Sequence, residues 1–231
     1  SEEKLMGDLK NYIDNGIPIS YMIILKMGKL FEFFHGCLIK IGFFKCGSNF
    51  KVGIHSRVLQ RKKISAGDNV SIGRFCRIDA LSREGIVLED NVSIGDYSIL
   101  ACTGSLRYLG KGIKIGNNSH FGEYCFIGAA GGVKVGSNVI GGQNIRFHAE
   151  NHLYDNPDQP IYQQGVTHKG IEIGDNCWIG AGVVFLDGAK IGNGCVVAAN
   201  AVVTKSFGDN LVIGGIPAKK LRDRVTDNVE G

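Results

Sequence analysis

Residues 146–172 hold three of the chain's six histidines, His148, His152 and His168, together with Tyr154, Tyr162, Pro157 and Pro160. A neutral imidazole can take the proton from a hydroxyl as its oxygen attacks a carbonyl, which is general-base chemistry at neutral pH. The string Ala149-Glu150-Asn151-His152 offers one such base, with polar neighbours that can orient it or make a turn. A metal site is the other chemistry in view, because His148 and His152 stand four apart and His120 lies upstream. That spacing serves zinc when both side chains leave one face of a helix, and no helical period runs through this stretch. Trp178, the only tryptophan, follows soon after and can line a ligand site or fill a contact between subunits. No cysteine pair has metal-like spacing, and the glycines do not form a nucleotide-binding loop between a strand and a helix.

The element that must position these residues is a repeat. Every sixth residue from Ile173 through Ile179, Phe185, Ile191 and Val197 to Val203 is large and apolar. Four residues after each of the first five come Cys177, Val183, Ala189, Cys195 and Ala201, all small or medium. A second block runs Ile115, Phe121, Ile127, Val133, Val139, Ile145, and shorter ones run Leu88, Ile94, Leu100 and Ala66, Ile72, Ile78. A period of six matches neither an amphipathic helix nor an alternating strand. It fits a chain that makes a short strand, turns and repeats, with Asn69, Asn91, Asn118, Asn138, Asn176 and Asn193 near the turns. The frame slips between Ile78 and Leu88, between Leu100 and Ile115, and by 22 residues between Ile145 and Ile173. The last slip is the histidine-bearing stretch, so the repeat extrudes it as an ordered surface loop.

Composition agrees with a turn-rich β fold. The 231 residues include 34 Gly and only 4 Pro, which argues against helix bundles, collagen and proline-rich disorder. The body from residue 64 onward is nearly neutral, so a nucleic-acid partner is not expected, and the positive charge gathers in residues 1–63. Seven cysteines, several at apolar repeat positions, suit a reducing compartment and a cytoplasmic protein. The start, Ser-Glu-Glu-Lys, is not expected to be a signal peptide, and no uninterrupted apolar run is long enough to cross a membrane.

The phrases IGDNCWIGAGVVFLDGAKIGNGCVVAANAVVT and VIGGIPAKKL resemble the hexapeptide-repeat acyltransferases. The resemblance covers roughly residues 52–222 and implies an all-β, left-handed parallel β-helix, whose counted hexads make about six coils. It divides the chain into an amphipathic, helical N-terminal segment over 1–51, a β-helix over 52–216 with an extruded loop at 146–172, and a tail over 217–231. The string AENH resembles the protruding loop of the sugar and polysaccharide O-acetyltransferases in this family, which implies His152 as the base. In those enzymes a tryptophan in N-x-W-I-G lines the site, here Trp178, with Asn151 and Tyr154 beside it. The implied donor is acetyl-CoA, its pantetheine arm against Ala181, Ala199, Thr204 and Lys205 and its phosphates near Lys219 and Arg222. The γ-class carbonic anhydrases share the fold and hold zinc with three histidines, but not at the spacing of His148 and His152, so no metal is expected. Where the galactoside enzymes hold their acceptor with an asparagine, this chain has Gly122 and Glu123, which removes the hint about the acceptor.

The resemblance therefore implies an acetyl-CoA-dependent O-acetyltransferase on a carbohydrate acceptor, such as a sugar of a bacterial surface polysaccharide or its precursor. An N-acetyltransferase on an amino or nucleotide sugar is the alternative, and a zinc protein like the γ-class carbonic anhydrases a more distant one. Prisms packed side by side would make a groove long enough for CoA, so a homotrimer is expected. Residues 18–46 mix apolar side chains with Lys26, Lys29, Lys40 and Lys45 and can pack on the β-helix or meet a membrane surface.

Overall fold

The computed structural model describes Asp14 and residues 16–224; the Ser-Glu-Glu-Lys start and the polar tail at 226–231 lie outside them. Among the described residues, the helix α1 (Ile19–Ile39) precedes a left-handed parallel β-helix of triangular section. The first face is an eight-stranded sheet running from Lys45–Cys46 to Ser206–Phe207. The third is a seven-stranded sheet from Arg57–Leu59 to Val202–Val203. Between them, the second face carries parallel strands from Lys51–Val52 to Leu211–Gly214, and Lys219–Asp223 then folds back antiparallel on its end.

The hexad rule follows from the pleat. Each short strand sends an aliphatic inward, so successive coils stack Ile115 on Val135 on Ile173, and Ile127 on Phe147 on Phe185. These side chains are essentially inaccessible, and Phe147 and Phe185 stack at 5.0 Å. The small residues Cys177, Val183, Ala189, Cys195 and Ala201 fill the narrow corners and are buried as expected.

The structure corrects the boundaries and the frame. There are seven complete coils and two sides of an eighth, where the hexad count gives about six. The first coil, built on Cys46, Val52 and Val58, starts before residue 52, and the strand at 219–223 belongs to the prism rather than to a tail. In the fifth coil the inward column is Val135, Gly141 and Phe147, two residues beyond the column at Val133, Val139 and Ile145. Val133 and Val135 are both buried, so either frame lands on an aliphatic there. Gly141 masks the true column: a Cβ on it would lie 2.6 Å from the Phe121 ring.

Each corner has its own chemistry. Between the first and second faces, Asn49, Asn69, Asn91, Asn118, Asn138 and Asn176 all have positive φ, which asparagine tolerates better than most residues. The amides of the first five form a ladder, Asn49 Nδ2 donating to Asn69 Oδ1 at 2.9 Å and so on to Asn138. Asn193 instead accepts from the Asp175 N–H, and Gly194 takes the left-handed position. Between the second and third faces, His55, Phe75, Tyr97 and Tyr124 take that conformation and stack at 4.9, 5.0 and 5.1 Å. At the third corner, where the chain passes from the third face to the next coil, every extrusion leaves the prism, including 102–112 and 149–170.

Candidate active site

The extrusion at 149–170 is a narrow arm. Its neck is a two-stranded antiparallel ribbon, with Asn151 opposite Thr167 and His152 opposite Val166. The register places Glu150 opposite His168, and Glu150 Oε2 lies 2.7 Å from His168 Nε2. Because side chains alternate along a strand, Glu150 and His152 share one side of the ribbon and Asn151 projects from the other. The His152 side chain is exposed and accepts or donates no hydrogen bond among the described residues. Tyr154 and Tyr162 on the same arm are 70% and 71% exposed.

Two devices fix the arm to the prism, and neither was foreseen. Asp187, 6% exposed, accepts hydrogen bonds from Thr167 Oγ1 at 2.8 Å, from the Lys169 N–H at 3.0 Å and from the Gly170 N–H at 2.8 Å. Tyr108, carried by the 102–112 extrusion, meets the His168 ring edge to face at 5.9 Å. At the tip, the Gln164 amide donates to the Asn156 and Gln159 carbonyls and accepts from the Asn156 N–H. His168 thus supports the arm, while His148 lies in the third-face strand against the Phe126 ring. His120 is on the second face, hydrogen-bonded to Ser93 Oγ at 2.8 Å, so the histidines weighed as metal ligands point from different faces.

Most of the other expected site residues are not on the arm's corner. Trp178 projects from the second face, which lies opposite that corner in a triangular section, and is 58% exposed beside Ile140. Ala181 and Ala199 stand one above the other at the corner between second and third faces, where the Asn200 N–H donates to the Ala181 carbonyl at 2.9 Å. Lys219 and Arg222 are exposed on the antiparallel strand that ends the second face. Thr204 and Lys205 alone share the arm's corner, two coils further on, with Lys205 Nζ 5.6 Å from the Phe207 ring. One chain therefore keeps His152 on one side of the prism and most of the expected donor-binding residues on the other. An open groove of about 540 Å³ runs along the first face, lined by Lys134 and by the ion pairs Lys114–Glu89 at 2.8 Å and Lys190–Glu172 at 3.1 Å. It contains neither His152 nor Trp178.

Cys102, Cys125 and Cys177 are not poised as nucleophiles. Burial pushes the Cys102 and Cys125 thiols up to about 12 and Cys177 to about 11, so none forms a thiolate near neutrality.

Residues 170–205 match the family model described as bacterial transferase hexapeptide (six repeats). The chain is 30% identical over 159 residues, 69% of its length, to WbbJ of Escherichia coli K12, named for O-acetyl transfer in lipopolysaccharide biosynthesis. It is 28% identical over 142 residues, 61% of its length and 68% of the relative's, to the galactoside O-acetyltransferase of the same organism. Among solved structures, AntD, an N-acyltransferase from Bacillus cereus in complex with dTDP and 3-hydroxybutyryl-CoA, has the same fold. That likeness has a TM-score of 0.55 over 81% of this chain and 87% of AntD, at 21% identity. With hexad coils from Lys45 to Gly214 and 30% identity across 71% of WbbJ, the chain belongs to the hexapeptide-repeat acetyltransferases.

Proposed function

We propose that the protein is an acetyl-CoA-dependent O-acetyltransferase acting on a sugar hydroxyl, in a bacterial surface polysaccharide or a precursor of one. The observation that carries this reading is the placement of His152: exposed, without a hydrogen-bond partner among the described residues, and held out on an arm braced by Asp187 and Glu150. The names of WbbJ and the galactoside enzyme support the hydroxyl acceptor.

His152 takes the proton from the acceptor hydroxyl while the oxygen attacks the thioester carbonyl carbon of the donor. The tetrahedral adduct collapses with loss of the CoA sulfur, which receives that proton, leaving an acetyl ester and free CoA. The Trp178 indole N–H or backbone N–H groups stabilise the oxyanion. Ala181, Ala199, Thr204 and Lys205 line the path of the pantetheine arm, and Lys219 and Arg222 meet the phosphates.

The working unit is a homotrimer, because His152 and Trp178 leave opposite sides of one prism and a cyclic neighbour brings them together. The test is release of CoA from acetyl-CoA with a panel of sugars, glycans and amino sugars, followed by the base lability of the product. A base-labile ester is expected, and a stable amide would establish N-acetyl transfer instead. His152→Ala should lower kcat by at least ~10² with little change in KM. Turnover close to wild type in that variant would remove His152 from the mechanism.

A further inference from the structure

We infer that α1 docks the protein on an anionic lipid surface. Ile23, Ile24, Met27, Phe31, Phe34 and Leu38 are each between 52% and 67% exposed. At about 100° per residue they fall within an arc of roughly 100° on one side of the helix. Gly36, on the opposite side, seats the helix on the prism: a Cβ there would come 2.4 Å from the Phe50 carbonyl oxygen. His35 Nδ1 and the Val52 carbonyl, 3.0 Å apart, hold the same end. The apolar stripe therefore points directly away from the first coil. Ile41 and Phe44, 66% and 81% exposed, follow just past the helix end.

Two physical arguments choose the occupant. Among the described residues no helix is long and apolar enough to cross a membrane, and Lys26, Lys29 and Glu32 interrupt this one, so it lies on a surface rather than through it. Ile24, Met27, Phe31, Phe34 and Leu38 are also spaced as a coiled-coil seam, so it is the charge around the stripe, not its width, that selects the partner. The charge is one-signed: residues 16–63 carry nine Lys and Arg against Glu32 alone. Arg61, whose Nη1 is 3.5 Å from the Ile41 carbonyl, brings Lys62 and Lys63 to the same end of the prism. An apolar face backed by concentrated positive charge matches acyl chains beneath anionic headgroups, with Lys26 at the rim able to extend its amine toward phosphate. This inference stands independently of the reaction proposed above.

The experiment is flotation of the full chain with vesicles of phosphatidylcholine alone or with about 30% phosphatidylglycerol, at low salt and at about 0.5 M. Binding to the anionic vesicles should exceed binding to the neutral ones by about tenfold and weaken in salt. Ile24→Glu with Phe31→Glu should reduce bound protein about tenfold while melting temperature and sedimentation mass stay unchanged. Lys26→Gln with Lys62→Gln, which leaves the stripe intact, should weaken binding to anionic vesicles only. Failure of the wild-type chain to float would overturn the inference, as would equal binding by the Ile24 and Phe31 variant. A fall in oligomer mass on those two substitutions would assign the stripe to a second copy of the chain and overturn it as well.

Discussion

Glu150 and His168 face each other across the neck of the extruded arm, Oε2 to Nε2 at 2.7 Å, two residue pairs below His152. The two are 18 residues apart in sequence and meet only because the chain returns on itself as a ribbon. Both side chains are a little under a third exposed, so the contact acts as a clasp of modest strength rather than as a buried ion pair. Glu150→Gln keeps the shape and removes the charge. Cleavage within 153–165 by a nonspecific protease should then run about two- to fivefold faster, and kcat should fall while KM for acetyl-CoA holds. Unchanged cleavage would show that Asp187 alone secures the arm.

Asp187 is the stronger of the two anchors, because its three bonds are sheltered from water. Asp187→Ala strands the Gly170 N–H, which is itself buried, and the Lys169 N–H above it. A loss of about 3 kcal/mol is expected, seen by calorimetry as a melting temperature roughly 6–12 °C lower. Asp187→Asn retains one acceptor oxygen and should lose about half as much. Equal losses from the two substitutions would mean that packing, not hydrogen bonding, holds the base of the arm.

His152 and Trp178 on opposite sides of one prism make a sharp prediction for mixed oligomers. His152→Ala and Trp178→Ala chains, each inactive alone, should regain activity when subunits are exchanged. Every mixed cyclic trimer then contains one intact pairing of His152 with Trp178, so random mixing should restore about a quarter of wild-type activity. Proven exchange without recovery would place both residues' function within one chain. The same pairing would not be rescued by Lys205, which shares the arm's corner.

Acid should act on the fold through His148. Burial, and then the Arg146 cation, hold this imidazole below its ordinary value. The unfolded chain therefore binds a proton at a pH where the folded protein still does not. The stability contributed by neutral His148 is complete above about pH 6.5 and declines as pH falls from there toward the folded value. His148→Gln should flatten the dependence of melting temperature on pH below about 6.5 relative to wild type. Parallel profiles for the two proteins would show that His148 carries no linkage.

The hexad period determined the fold without any tertiary information. An aliphatic every six residues can be buried only if each side of a coil spends six residues, and asparagine at the corners satisfies backbone angles that other side chains resist. The arm was equally legible, since a solenoid can break its period only by pushing residues outward. Coil count was less so: Cys46, Val52 and Val58 are a weak column beside lysines, and Gly141 hides the phase of the fifth coil. The stacked corner of His55, Phe75, Tyr97 and Tyr124 has no local signature, because aromatic residues seldom accept a positive φ. Stacking between coils offsets that strain, and stacking exists only once the coils are in register. The partners of Asp187 and Glu150 were decided the same way, by rungs that bring residues 17 to 20 positions apart into contact. His152 and Trp178 read as neighbours along the chain, yet a strand's face is set by its phase around the triangle. That phase separates them in one prism, so a site that uses both needs a second chain.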